Sequence, residues 1–401
     1  CGTQPSLDDS PVDFSLPAHL RDLGRLRFGL HVPCAAERLT AFGPTRSGRS
    51  GFGGYIPRLD MVPAAADRLA GDGGMGFAAV GHILREAPDA SWVPLLCGDA
   101  PTAVDERQAY NGFVRGRGMV GIGFGAGPKA TQLYVDGGDG GGHGHRHQAP
   151  LSLQGFCMGS EVFPDLGYIA DHPANAWVRA SASHNTVLVA GRSVVPSARC
   201  ELAAFVVDDK MRFVDLHVPV HTADGGDLVR AEFRRALVLV RNTDDTMILI
   251  DVFDAEGDTC FDYVCRAGSP GTDASIQELS WRPRQQSLFA DTWPVSLQQQ
   301  TAGPCSSFDI LWPGNLPVAA SFVGASDEVV RFRSPAWRTQ ADVFDAPELA
   351  WTAVACRQTG PRVRFVTVFC LGAPAAAVQT RQLSTAVELK IRHRRNTWAV
   401  A

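Results

Sequence analysis

The sequence predicts an α+β, mainly β protein: a helical region over residues 1–112, then a large antiparallel β-sandwich over 113–401. Three observations lead there. Gly (41) and Pro (26) are frequent, which marks many turns. From Phe113 onward, short apolar runs and period-two alternation replace helical spacing. No helical stretch separates those runs, so the strands are expected to pair antiparallel and not through parallel crossovers.

Ala18 to Phe28 places Leu20, Leu23 and Leu26 on one helical face. Leu59 to Leu69 and Met75 to Arg85 read the same way, with Gly71-Asp-Gly-Gly as the break between them. Pro94 and Pro101 close this region, which reads as the end of a helical domain. Ala130-Thr-Gln-Leu-Tyr-Val-Asp and Thr186-Val-Leu-Val then alternate as strands. Gly137-Gly-Asp-Gly-Gly-Gly is a local loop. The clearest hairpin runs from Arg235 to Asp254. Its arms are Ala236-Leu-Val-Leu-Val and Met247-Ile-Leu-Ile-Asp-Val-Phe, joined by a polar turn at Asn242-Thr-Asp-Asp. Further strands are expected at Val329 to Arg333, Leu349 to Cys356 and Val363 to Leu371.

Composition excludes several classes. With 45% hydrophobic and 20% charged residues the 401-residue chain is globular, of a length for two or three domains. Lys and Arg (37) against Asp and Glu (42) give a net charge of −5 without a basic run, which argues against a nucleic-acid binder. No apolar stretch reaches the roughly 20 residues of a membrane-spanning helix. The 10 cysteines include no Cys-x-x-Cys pair and read as small buried hydrophobes. Residue 1 is Cys, which fits either a longer reading frame or a lipid-anchored mature end. Gly121-Ile-Gly-Phe-Gly lacks the strand–turn–helix context of a dinucleotide loop, and no nucleophile elbow or phosphate loop is present.

Gly142-His-Gly-His-Arg-His-Gln packs three of the 11 histidines into five residues. His184 lies further on in Ser181-Ala-Ser-His-Asn-Thr, and Asp165 stands between them in Phe163-Pro-Asp-Leu-Gly-Tyr. Neutral imidazoles and a carboxylate suit a borderline metal such as zinc. Imidazole also transfers protons near neutral pH. The cluster is therefore either a site holding a ligand and a proton carrier or a histidine-rich surface loop. His172 in Asp171-His-Pro reads as a turn residue, and His217 and His221, which flank a strand end without an acidic partner at metal spacing, read as structural.

Three stretches resemble the heparinase II/III-like polysaccharide lyases, relatives of the alginate and heparin lyases. Gly144-His-Arg-His with Leu151-Ser-Leu is similar to their Gly-His-x-His loop and following strand. Phe163-Pro-Asp-Leu-Gly-Tyr is similar to their Asp-x-Gly-Tyr turn. Val178-Arg-Ala-Ser-Ala-Ser-His-Asn-Thr-Val-Leu-Val-Ala-Gly is similar to their His-Asn-Thr signature, and Arg234-Arg-Ala-Leu-Val-Leu-Val with Ile248-Leu-Ile-Asp resembles their later hairpin. The resemblance covers roughly residues 50 to 370.

The resemblance implies an incomplete α/α toroid, here its C-terminal end, joined to the sandwich, and β-elimination on an acidic, uronate-containing polysaccharide. It makes His145 the active-site histidine and His147, Asp165 and His184 the ligands of a Zn2+ ion; a register shifted by two would use His143 and His145 instead. Tyr168 is either a catalytic or substrate-contacting tyrosine or a structural one. Arg146 and Arg179 are candidates for substrate carboxylates, or a solvated loop residue and a strand brace. Asn185 supports His184 from behind. An extracytoplasmic place, periplasmic or secreted, is implied by analogy. The sequence departs from the family pattern at Gln148-Ala-Pro and at Ala190, where an Asp is usual, and the family's toroid tyrosine and carboxylate-binding residues would fall near or before residue 1. Two rival readings stand beside the lyase: a non-catalytic carbohydrate-binding protein and a glycoside hydrolase.

Overall fold

The computed structural model describes residues 109–400, apart from 110, 115–117, 127–128, 139–146, 168, 170–171, 224–227, 243–245, 272, 278, 292, 294–296, 339–342, 344–349, 374–376, 383–386 and 394–395. The three helices expected between residues 18 and 85 lie outside the described residues.

The described chain is mostly β, as expected. Strands β1 (Gly112–Val114), β2 (Met119–Phe124), β3 (Thr131–Asp136), β4 (Ser152–Cys157) and β5 (Ser160–Phe163) form a five-stranded antiparallel meander in sequence order. Gly121-Ile-Gly-Phe lies within β2 and turns into β3, so the glycine-rich stretch serves a sheet.

The second sheet is built from β6 (Val187–Val189), β7 (Val194–Pro196), β8 (Glu201–Val207), β9 (Met211–Thr222), β10 (Arg230–Arg241), β11 (Met247–Cys265), β12 (Ser275–Ile276), β13 (Arg282–Pro283), β14 (Gln300–Ala302), β15 (Cys305–Trp312), β16 (Val318–Ser326), β17 (Glu328–Pro335) and β18 (Ala350–Leu371). Its main path runs β12-β15-β16-β18-β11-β10-β9-β7. The expected hairpin is β10 with β11, in register from Arg241↔Met247 to Glu232↔Glu256. The structure corrects two expectations. The second arm does not end at Asp254 but continues to Cys265, and the two strands expected on either side of Arg357–Arg362 are one 22-residue strand, β18. Both polar interruptions look like turns in the sequence. In the structure they lie opposite one another, Glu256 pairing with Arg362 and Thr259 with Gly360 across a bulge, so each is satisfied by the other and neither strand ends.

The two sheets face each other through one core, in which Ile122, Leu133 and Leu153 of the meander meet Leu216, Phe233, Leu237 and Phe253 of the large sheet. A small third sheet, β19 (Ala377–Gln382), β20 (Val387–His393) and β21 (Asn396–Val400), brings Ile391 onto the outer face of β11 and β18, against Ile248, Ile250 and Val368. That cover explains why β11 begins with residues buried on both sides. The described cysteines form no disulfide, and Cys157, Cys200, Cys265 and Cys356 are buried thiols, as expected.

Along β10 burial alternates, with Phe233, Arg235, Leu237 and Leu239 pointing inward. Arg235 therefore places a guanidinium in the core, where it needs full pairing. It donates to both oxygens of Asp251 on β11, at 2.9 and 2.5 Å, and both side chains have no exposure. Tyr263 donates to the same carboxylate at 2.7 Å. The second terminal nitrogen of Arg235 donates to the carbonyls of Leu151 (2.6 Å) and Asn185 (2.7 Å).

The signature departure at Ala190 also has a structural expression. Val189 and Arg192 close a two-residue turn through paired backbone bonds of 3.2 and 2.9 Å. Ala190 and Gly191 hold φ values of 54° and 72°. A turn with both central residues at positive φ favours Asn or Asp followed by Gly. Ala190→Asn is expected to stabilise the fold by about 1 kcal/mol, because a short polar side chain tolerates this conformation where a methyl does not; equal or lower stability in urea unfolding would contradict this. Arg235→Met is expected to destabilise by about 3–5 kcal/mol, since it leaves Asp251 buried and unpaired. Arg235→Met with Asp251→Leu should recover only part of that loss, because the carbonyls of Leu151 and Asn185 remain without their donor.

Candidate metal centre

Three short stretches deliver the polar cluster, and each is fixed by its own backbone. Asp165 comes just after β5. Its Oδ1 accepts the Gly167 N–H at 2.8 Å, and Gly167 sits at φ 72°. A side chain that caps its own chain two residues on, with a glycine in the left-handed region, is the physical content of the Asp-Leu-Gly spacing. The other carboxylate oxygen is left to face the cluster.

His184 is presented by a helical turn, α1 (Asn175–Val178), and a 3-10 turn at Ser181–Ser183. Its Nδ1 donates to the Ala180 carbonyl at 2.8 Å. That bond places the proton on Nδ1 and leaves Nε2 as a lone pair pointing into the cluster. Ser183 Oγ donates to Ala180 (2.9 Å) and lies 3.1 Å from the Val178 carbonyl, which holds the turn tight.

His147 comes from the chain just before β4. The Gln148 N–H donates to the Arg179 carbonyl at 2.7 Å, and Ser181 Oγ donates back to the Gln148 carbonyl. Thr186 Oγ1 donates to Pro150 at 2.5 Å. Asn185 ties the same two stretches together: its backbone carbonyl accepts the Leu153 N–H (3.0 Å) and its Nδ2 donates to the Leu153 carbonyl (3.1 Å). The residues around His184 in the Ser-Ala-Ser-His-Asn-Thr run thus act as straps, and none of these side chains faces solvent.

The outcome is a compact donor set. His147 Nδ1 lies 2.8 Å from His184 Nε2 and 3.5 Å from Asp165 Oδ2, and His184 Nε2 lies 3.2 Å from Asp165 Oδ2. Ligand atoms about 2.0–2.1 Å from a tetrahedral zinc are separated by roughly 3.3 Å. Two of the three spacings match that edge and the N···N spacing is shorter. Two imidazoles and a carboxylate are the right chemistry for the ion. Among the described residues no further His, Cys, Asp or Glu joins the group.

Electrostatics point the same way. Burial raises the Asp165 carboxyl, but the His147 and His184 imidazoles outweigh it and hold the group well below the usual carboxylate range. Burial lowers His147, yet the charge and hydrogen bond of Asp165 leave it raised. Burial keeps His184 lowered, although the Asp165 carboxylate beside it favours the protonated ring. The cluster therefore presents one anion and one firmly neutral imidazole, and attracts a positive charge at its third corner. Metal binding would put a cation where His147 otherwise holds a proton.

The structure thus brings together His147, Asp165 and His184, and places Asn185 directly behind them. Arg179 is half-buried; its charge acts on His147, and its carbonyl takes part in the strap. His143, His145, Arg146 and Tyr168 lie outside the described residues. Sequence reasoning missed Arg235 and Ser181, which hold the motif stretches from behind. For Arg235 a signal existed: an Arg at an inward position of an alternating strand, with an Asp inside the apolar run that opens the next.

Sandwich and cluster together define an antiparallel β-sandwich protein with a His-Asp-His donor set, its Asp165 and His184 buried and its His147 partly so. Residues 111–278 match the family described as heparinase II/III-like, C-terminal, so the chain carries a heparinase II/III-like C-terminal domain there. Among solved structures it is similar to a heparinase III (the BT4657 gene product), with 13% identity, a TM-score of 0.52, and coverage of 94% of this chain and 51% of that one. It is similar to another heparinase III with 10% identity and a TM-score of 0.55, over 95% of this chain and 54% of that chain. A mutant of the heparan sulfate lyase HepC from Pedobacter heparinus has 12% identity and a TM-score of 0.51, over 93% and 51% respectively. These likenesses concern the fold. The chain spans about half the length of the structures it matches. No curated protein sequence matches it. Among the described residues no helix is long and apolar enough to cross a membrane.

If the donor set holds zinc, the folded state gains stability from the ion, about 2.7 kcal/mol when the free ion stands at 100 times its dissociation constant. His147→Ala is expected to lose bound zinc and that zinc-dependent gain. Equal zinc content in variant and parent, measured after dialysis, would remove His147 from the site.

Proposed function

We propose that this protein is a polysaccharide lyase that cleaves a uronate-containing polysaccharide by β-elimination. The single observation that carries the reading is the His147–Asp165–His184 cluster, assembled by three separate motif stretches within a domain matched to the heparinase II/III-like family. The structural neighbours named as heparinase III and heparan sulfate lyase support an acidic polysaccharide as substrate class.

The chemistry makes three demands. The acidic proton beside the uronate carboxylate must be removed, the carboxylate's charge must be neutralised while that happens, and the 4-linked oxygen must leave with a proton. In this reading His145 carries a proton, Tyr168 shares that task, and Arg146 and Arg179 face substrate carboxylates through their guanidinium forks. His147, Asp165 and His184 would hold a zinc ion, which supplies positive charge that shapes the site. Asn185 keeps His184 in place. An extracytoplasmic location goes with a polymeric substrate.

The test is to incubate the protein with uronate polysaccharides and follow ultraviolet absorbance. A lyase creates a new C=C bond and absorbance rises. Release of saturated fragments without absorbance would favour a hydrolase, and retention of polymer without cleavage would favour a binding protein. In an active protein, His145→Ala is expected to keep bound zinc and lose at least 100-fold in rate, the scale of removing a general acid or base. Full activity in that variant would show that a different histidine moves the proton.

A further inference from the structure

Arg266 is the largest buried charge that neither the fold nor the proposed reaction has used. It directly follows β11, has no exposure, and makes no ion pair with a carboxylate among the described residues. Burial pushes its guanidinium down to about 9, with Asp165 and Glu161 opposing that shift and Arg338 adding to it. One of its donors, Nε, has no acceptor among the described residues. A buried cation of this kind is costly to keep unless its position serves something else.

Its contacts show what that is. The Arg266 backbone N–H donates to Asn185 Oδ1 at 2.8 Å, and Asn185 is the residue after His184. Its Nη2 donates to the carbonyl of Pro164 at 3.4 Å, and Pro164 is the residue before Asp165. Nη1 donates to Ser334 Oγ at 3.0 Å on β17, and the guanidinium lies 5.2 Å from the Trp351 ring on β18. One residue, anchored on two strands of the large sheet, thus reaches the chain neighbours of two of the three donors. Glu161, which opposes the loss of its charge, is itself engaged by Arg338 at 2.7 Å.

We propose that Arg266 is a positioning residue for the metal centre: its planar fork and its backbone N–H together hold Asp165 and His184 at ligand spacing before the ion binds. This rests on the zinc reading of the His147–Asp165–His184 cluster. The fork matters because a single guanidinium reaches Ser334 and Pro164 at once; an ammonium is a point donor on a flexible stem and does not reproduce that reach. Outer partners of metal ligands commonly contribute 10–100-fold in affinity.

The experiment is a zinc titration of the full 401-residue chain against a chromophoric chelator, for the parent, Arg266→Lys, Arg266→Met and the buried-core control Val330→Ala. Thermal unfolding in excess chelator is followed in parallel. We expect both Arg266 variants to bind zinc at least 10-fold more weakly than the parent. Val330→Ala should lower the metal-free melting temperature and keep the parent's affinity. If Arg266→Lys binds zinc within twofold of the parent, the positioning role is wrong. Loss of affinity in Val330→Ala equal to that in the Arg266 variants would also overturn it, since general destabilisation would then account for the effect. Should Arg266→Met fail to fold, Arg266→Lys decides alone. A parent that binds no zinc overturns the metal reading itself, and the positioning role with it, whereas a parent that binds zinc with unaffected Arg266 variants overturns only the latter.

Discussion

A single buried ion pair, Arg235 with Asp251, joins the layers on which everything else rests. It sits where alternation along β10 demands an apolar residue, so its desolvation has to be offset by a full set of partners. Those partners are informative. Asp251 binds β10 to the central strand β11, where Tyr263 of the same strand steadies its carboxylate, while the carbonyls of Leu151 and Asn185 bind the large sheet to the two chain stretches that carry His147 and His184. Apolar packing between the sheets supplies cohesion but little direction, because it is non-directional. The guanidinium supplies direction: only one relative placement of the meander and the large sheet gives each of its nitrogens an acceptor.

The donor cluster inherits that placement. Each ligand stretch is first closed on itself, by the Asp165–Gly167 cap and by the His184–Ala180 bond. The stretches are then laced to one another through Ser181, Asn185 and Thr186. Little of the cluster's geometry therefore depends on the donors finding each other, which matters because each of them loses hydration when it is buried. Arg235 and Arg266 extend the same logic from opposite ends, one reaching the carbonyl of Asn185 and the other its side chain.

How much of this was legible in the sequence depends on the range of the interaction. Period-two alternation exposed the β10–β11 hairpin because its information is local. The unity of β18 was hidden, since the polar stretch around Gly360 is resolved only by Thr259 and its neighbours on another strand, about 100 residues away. The donors His147, Asp165 and His184 were readable by residue type and by the resemblance, but their convergence was not: three short loops meet only through carbonyl acceptors, and carbonyls carry no sequence signature. Ala190 was readable as a departure, yet only its positive φ gives the departure an energetic meaning.

The number and burial of the donors bear on what the cluster is for. A purely structural zinc is ordinarily closed by four protein ligands, and an ion that meets substrate keeps a position open. Here the described residues provide three. Exposure is also uneven: the His184 and Asp165 side chains are 2% and 8% exposed, and His147 is 21% exposed. Two donors are thus sealed in the sandwich, and the third marks the side from which solvent or a ligand reaches the group. A site that is rigid on its inner side and accessible at one corner suits an ion that fixes the shape and charge of a surface, with proton transfer left to groups beside it. In the proposed lyase that division of labour would serve a β-elimination, whose carbanion-like state needs stationary positive charge and whose proton needs a mobile carrier.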